Sequence, residues 1–343
     1  MSTSNNEVKQ TLTAIEAIAS NARTHDELQK AVQLACDFGR PLKYDNRLLY
    51  GVSLVSALIS ARFAYLINKY FYFDVTSAMT IALIVFSSIA IITLVVAVTR
   101  NQKANQLSDV IFAKDAKLDH GIDPTHSKDG YVKSMLTSFS EFKRGNYSRG
   151  IEHELKTLPD AKQPFHYYRF KWTDKRTEVI SVSDGKGGTR METRTTYHDY
   201  YRHGLMLPFP YLKSLAVMSN GSVPNKQKYK PSSIAFNRRF SLGAKSELDL
   251  AKFLKPSVVE CFLDADKALS NLNIEINDDG VMCLSFADND VLNAKRTHGL
   301  NTPNEFLEEL SGSSKLVKLD SIMQLFNNLT RHSDNNFKLG EVS

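Results

Sequence analysis

Two stretches dominate the pattern of apolar and polar positions along the chain. Leu48–Ile67 is interrupted by Arg62 alone, and Val75–Val98 carries no charge. Twenty residues at the helical rise cover about 30 Å, the thickness of a bilayer's hydrocarbon core, so both stretches predict transmembrane helices. The serines and threonines of the second stretch can bond to their own backbone carbonyls and do not forbid insertion. The seven residues Asn68–Asp74 between them are too few for a domain, and their aromatics suit a headgroup belt. The expectation is a helical hairpin spanning 47–99, with spans at 48–67 and 75–98. The first run starts too far from the N-terminus, and is too long, for a cleaved signal peptide.

Before the hairpin, residues 1–46 predict a helical segment. Leu12, Ile15 and Ala19 recur at helical spacing, and Thr24-His25-Asp26-Glu27 is a capping-box signature ahead of Leu28, Ala31, Val32 and Ala35. After it, residues 100–160 read as a stalk and connecting helices. The second span is extended to Lys117, His120-Gly121-Ile122-Asp123-Pro124 is a break, and a short helix is expected over Gly130–Arg144. Residues 161–330 read as a soluble domain. Its expected strands are Phe165–Trp172, Glu178–Val182 after a Thr-Asp-Lys-Arg turn, Met191–Phe209 and Ile234–Leu242. The glycine-rich 184–188 segment reads as a hairpin turn. Helix is expected over Ser246–Leu269, with Pro256 opening a new first turn. Asn273–Ile276 and Val281–Phe286 flank an Asp-Gly turn. Thr302-Pro303-Asn304-Glu305 reads as a capping box that starts a short helix, and Leu319, Ile322, Met323 and Phe326 mark a last one before a disordered tail, 331–343. The fold class is α+β, rich in antiparallel strands.

Composition adds orientation. Mean hydropathy is only −0.28, because a polar remainder offsets the two apolar runs. Arg40, Lys43 and Arg47 precede the hairpin and Arg100 and Lys103 follow it, so both termini are expected in the cytoplasm. Arg62 lies near the end of its span, where it can snorkel to headgroups. Cys36, Cys261 and Cys283 are too far apart for a metal-ligand pattern or a disulfide framework, and read as small buried hydrophobes.

The soluble domain contains the motifs Tyr200-Tyr201-Arg202-His203-Gly204-Leu205, Phe236-Asn237-Arg238-Arg239-Phe240-Ser241-Leu242 and Lys255-Pro256-Ser257-Val258-Val259-Glu260, together with the strand after Asp279-Gly280. With the two spans, over roughly 48–329, the chain resembles an uncharacterised bacterial membrane-protein family often encoded beside LemA-type membrane proteins. The resemblance implies a multi-pass inner-membrane protein with a cytoplasmic domain and a LemA-type protein as partner. It implies no activity.

Catalytic patterns are not found in the sequence: there is no nucleophile elbow, no HExxH and no nucleotide fingerprint. His198 and His203 fall on opposite faces of a regular strand. His120 and His126 with Asp119 and Asp123 sit in loop chemistry, and Asp288-Asn289-Asp290 begins like a calcium loop but lacks its later ligands. No cofactor or metal is expected. Charge is the positive signal. Residues 165–240 hold 14 Lys or Arg against 5 Asp or Glu, an excess larger than the +6 of the whole chain.

The leading expectation is a non-enzymatic interaction or scaffold module that meets a partner protein or an anionic membrane surface through Arg169, Lys171, Arg176, Arg190 and Arg194. The competing reading of the same aromatics is a sheet core, because Tyr168, Phe170 and Trp172 share parity. An alternative function is an enzyme or sensor for a small anionic ligand using Glu192, His198, Arg202 and His203. Nucleic-acid binding ranks third. Self-association through the hairpin is compatible with the sequence, which fixes no stoichiometry.

Overall fold

The computed structural model describes residues 3–70, 78–127, 129–183 and 188–334. The chain divides into two compact units, one of Met1–Ala116 with Ala294–Ser314 and the other of Lys117–Asn293 with Lys315–Ser343.

The first unit is helical. It contains α1 (Thr3–Asn21), α2 (His25–Asp37), α3 (Arg47–Tyr70) and α4 (Ala78–Asp119). The expected capping box is present: the Thr24 hydroxyl accepts from Glu27 N, and the Glu27 carboxylate accepts from Thr24 N. The stripe Val8, Leu12, Ile15 and Ala19 is buried, as is its counterpart Leu28, Ala31, Val32 and Ala35 on α2. Lys114 donates to the carbonyls of Ala19 and Ser20 at 2.7 and 2.6 Å, closing the C-terminal end of α1.

Helices α3 and α4 are long and apolar enough to cross a membrane. Their side chains are arranged inside out relative to a soluble bundle. Leu48, Leu54, Val55, Leu58, Ile84, Val85, Ile91, Ile92 and Val95 are exposed, while Ser56, Ser60, Thr80, Ala90 and Ala97 are buried. On the α3 side the contacts recur every seven residues, at Asn46, Ser53 and Ser60. Asn46 donates to Ala97 O at 2.9 Å, Ser53 to Ala90 O at 2.9 Å, and Ser60 accepts from Ser87 at 3.1 Å. Small residues allow the helix backbones this approach, and the hydroxyls bridge them. Ser88, Thr93 and Thr99 instead bond back to Ile84 O, Ile89 O and Val95 O on their own helix. Asn68–Tyr70 finish α3; the aromatics of Phe71–Asp74 lie outside the described residues.

The second unit carries a seven-stranded antiparallel sheet, completing the α+β fold. Its strands are β1 (Ser148–Lys156), β2 (His166–Ser183), β3 (Thr189–Pro208), β4 (Leu215–Met218), β5 (Ser241–Ala244), β6 (Asn273–Ile276) and β7 (Val281–Phe286), in the order β1-β2-β3-β7-β6-β4-β5. Between and after them lie α5 (Tyr131–Ser134), α6 (Ile234–Arg239), α7 (Glu247–Phe253) and α8 (Pro256–Ala268). In chain order α9 (Pro303–Ser311), which belongs to the first unit, and α10 (Val317–Asp334) follow.

Several expectations are corrected. Thr173–Arg176 is not a turn: β2 runs through it because every residue has a partner on β3. Gly130–Arg144 is not one helix but α5 and a 3-10 turn at Ser140–Lys143, since Phe139 is extended and Val132, Phe139 and Phe142 turn into a common core. Ile234–Leu242 is not a strand throughout. Ser233 caps α6, and Phe236 and Phe240, one helical turn apart, both pack edge-on against Phe262. Strands β1 and β4 were not anticipated. Thr302 precedes α9 without a side-chain cap, so that capping box does not form. Helix α10 continues to Asp334, past the expected start of the tail. Pro256 does open α8, and the hairpin at Asn273–Phe286 forms as expected.

The even-numbered face of β2 makes the core. Tyr168 and Phe170 are fully buried with Phe139, Phe142, Met206 and Cys283, and Phe142 meets both rings edge-on at 5.2 and 5.1 Å.

Candidate functional site

The feature of the sheet that core packing does not explain is the length of its central hairpin. Strand β1 leaves β2 at Thr173 and β7 leaves β3 at His203. Among the described residues, β2 and β3 pair only with each other from Asp174↔His198 to Ser183↔Thr189. Ten residue pairs at about 3.3 Å each make a two-stranded arm roughly 30 Å long. Residues 184–187 at its tip lie outside the described residues.

Strand parity gives the arm two different faces. The odd face carries Lys175, Thr177, Val179, Ser181, Met191, Thr193, Thr195 and Tyr197. Val179, Met191 and Tyr197 are 65%, 77% and 53% exposed. The even face carries Arg176, Arg190 and Arg194 against Asp174, Glu178 and Glu192, a balanced set.

The five basic residues expected to form one surface are therefore divided. Arg169 and Lys171 lie on the odd side at the root of the arm, where Arg169 stacks on Tyr201 at 4.4 Å and Lys171 pairs with Asp199 at 2.7 Å and Glu152 at 3.8 Å. The same pairing holds the Asp199 carboxyl below its usual range, with help from Thr173. Arg176, Arg190 and Arg194 lie on the even side; Arg176 reaches the Tyr200 hydroxyl and Arg190 reaches Glu192 at 3.6 Å.

The four residues considered for a ligand pocket are also spread out. Glu192 and His198 are exposed on the arm. Arg202 is buried below it on the same face, and His203 is buried on the opposite face against the Tyr167 hydroxyl at 2.7 Å. Burial, reinforced by the charge of Arg169, pushes the His203 imidazole down to about 4. Arg62 on α3 lies 5.8 Å from the Tyr65 ring.

Where the arm enters the sheet, a buried charge network holds it. Glu141 contacts Arg202 at 2.6 Å and accepts two hydrogen bonds from Arg144, both at 3.0 Å, and one from Asn273 at 2.9 Å. Arg144 spends its remaining donors on Asn220 and stacks over Trp172. Arg202 also donates to Asn271 O and Ser285. Glu275 accepts from the backbone and hydroxyl of Ser140; burial raises its carboxyl and these bonds oppose the rise. A cavity of about 330 Å³ opens beside Arg144 and Trp172. With its arginines engaged by carboxylates and carbonyls, the network acts as a clamp rather than an anion receptor.

The other sequence candidates resolve similarly. Asp288 and Asp290 are bridged by Lys318 at 2.7 and 2.6 Å, so the chain's own ammonium occupies the place a cation would take. His126 meets His153 at 3.2 Å, and its Nδ1 also accepts from Glu154 N. Of the cysteines, Cys283 is buried against the Tyr168 hydroxyl and Cys36 and Cys261 are partly buried. Sequence reasoning missed Glu141, Glu275 and Asn273; the Ser140–Glu275 and Asn273–Glu141 bonds join residues more than 130 positions apart in the chain.

Compared with protein-family models, curated proteins and solved structures, the chain finds no match in any of the three.

Proposed function

We propose that this chain is a membrane-anchored interaction module, held in a bilayer by α3 and α4 and presenting the odd face of the β2–β3 arm to a protein partner. The observation that carries the reading is the arm itself. A free two-stranded ribbon is marginal in water, yet this one extends ten pairs past its neighbours with Val179 and Met191 exposed on one face, and with Tyr197 beside the Tyr147 ring at its base. The balanced charge of the other face argues for a protein surface over an anionic membrane, which favours an excess of Lys and Arg. The exposed apolar ring around α3 and α4, closed over a small polar seam, supports the anchor. Basic residues on both flanks of the hairpin support cytoplasmic termini.

The test is photocrosslinking of the full chain in its own membranes, with a photoreactive residue at Thr193 on the odd face or at Glu178 on the even face. A discrete protein adduct from position 193, abolished by V179E/M191E and absent from position 178, is expected. Equal labelling from both faces, or none, overturns the reading.

A further inference from the structure

We propose that two copies of this chain pair edge to edge through β3 of the arm, about a two-fold axis at Thr193, so that the two hairpins join into one four-stranded sheet. The inference rests on the interaction reading above and names the arm's partner: a second copy.

An unpaired strand edge is a row of backbone N–H and C=O groups open to another strand, and proteins blunt such edges with proline, lysine, a bulge or shortness. This edge has none of these. Thr189–His198 contains neither proline nor lysine, its register with β2 is unbroken, and Thr189–Thr195 are all exposed. Among the described residues no strand pairs with its outer side, since β7 joins β3 only at His203.

The side chains select the strand and the register. Antiparallel pairing of a strand with its own copy sets residues equidistant from the axis opposite each other. With the axis at Thr193, near the middle of the arm, Glu192 of each copy faces Arg194 of the other, Met191 faces Thr195, Arg190 faces Thr196 and Thr189 faces Tyr197. Two unlike-charge pairs flank the axis, and no like charges stand directly opposite. Moving the axis by one residue sets Glu192 against Glu192 or Arg194 against Arg194. The β2 edge matches itself less well. An axis at Glu178 opposes two carboxylates, one at Val179 sets Arg176 against Val182, and one at Thr177 sets Lys175 against Val179 and Asp174 against Ile180.

Pairing also removes the weakness of the arm. A two-stranded ribbon is marginal in water, whereas three or more strands with an apolar face are not. The joined hairpins have four strands and gain about eight to ten backbone hydrogen bonds. Their odd faces, with Val179 and Met191 of both copies, become one continuous surface.

The test uses the full chain in its own membranes, with T193C as reporter. Across the axis the two Cβ atoms stand about 5 Å apart, so mild oxidation is expected to give a disulfide dimer. V179C is the control. Val179 lies opposite Thr193 within the hairpin and on the same face, but its two copies are three strand spacings apart, roughly 14 Å, too far to bridge. The unsubstituted chain, with Cys36, Cys261 and Cys283, sets the background. Adding E192R or R194E to T193C puts like charges together on both sides of the axis, and each variant alone is expected to lose about tenfold in dimer yield. Co-expressed under different tags, the two regain it in a product that carries both tags, because each supplies the charge the other lacks. R194E also meets Glu178 within its own hairpin, alone and in the mixture alike, so recovery on mixing reads the contact between copies. No T193C dimer above background, equal dimer from V179C, or no recovery on mixing overturns the inference. A photoadduct from position 193 to a protein of another mass, without the T193C dimer, overturns self-pairing and leaves the interaction reading standing; neither dimer nor adduct overturns both.

Discussion

Arg202 and Glu141 meet at 2.6 Å with side chains only 4% and 2% exposed. One lies on β3 just below the arm, the other in the 3-10 turn before β1. Removing the carboxylate leaves Arg202 and Arg144 near each other without compensation. Glu141→Ala is expected to destabilise the sheet unit by about 3–5 kcal/mol, the usual cost of breaking a buried pair from one side. Trp172 is the single tryptophan of the chain and lies 5.5 Å from the Arg144 guanidinium, so denaturant unfolding of the detergent-solubilised chain followed by tryptophan emission reads this unit directly. An unchanged midpoint would refute the clamp.

Gly204 is required where it stands. A Cβ there would lie 2.5 Å from Leu284 O and closer still to the Tyr168 hydroxyl, both fixed in the core. Gly204→Ala is expected to cost roughly 2 kcal/mol or more through overpacking. Tyr168→Phe should recover part of the loss in the double variant, measured by the same fluorescence titration.

His203 makes stability depend on pH with a definite sign. Its folded value, about 4, lies below the ordinary 6.5, so between these limits the unfolded chain binds more protons. The contribution is complete above about pH 6.5 and is lost as pH falls toward 4, at most about 3 kcal/mol over the window. Arg169, Arg202 and His153 disfavour its protonation and Asp288 favours it, while Glu275, raised by burial, contributes with opposite sign. His203→Gln should flatten the acid limb of the stability profile; an identical profile would exclude this residue as its source.

The contacts of Asn46, Ser53 and Ser60 with α4 predict proximity between α3 and α4. Cysteines replacing Ser53 and Ala90, whose hydroxyl and carbonyl are 2.9 Å apart, should crosslink on oxidation in membranes, and a pair at the outward positions Val55 and Ile91 should not. Ala97→Leu, placed where no side-chain volume is free, should reduce the Ser53/Ala90 crosslink several-fold.

What was legible in the sequence was local. Thr24 and Glu27 signal a helix start three residues apart, Asp279-Gly280 signals a turn between alternating strands, and the two apolar runs declare themselves by length. What escaped depended on distant partners. Strand β1, Ser148–Lys156, is a charged edge strand without an apolar rhythm of its own, and β4 has only four residues. The Thr173–Arg176 segment has turn-like composition but is kept extended by pairing with Thr196–Asp199. The basic excess of residues 165–240 is real, yet strand parity divides it between two faces, and carboxylates outside that window, such as Glu152, take up part of it. The clamp of Glu141, Asn273 and Arg202 joins three separate regions of the chain and left no spacing to detect.

The unbroken register of the arm constrains how this protein can change over generations. Inserting a single residue into either strand between Thr173 and Ser183, or between Thr189 and His198, would exchange inward and outward positions beyond it, placing arginines and glutamates where threonines, Val179 and Met191 now stand. Within the arm, length can vary without loss of facial identity when both strands gain or lose residues in matched steps of two, whereas at the tip a single matched pair can be added or removed without turning any existing side chain over. Related chains with longer or shorter arms should therefore differ by even numbers of residues across the hairpin, a rule that genome sequences can test without any protein being made.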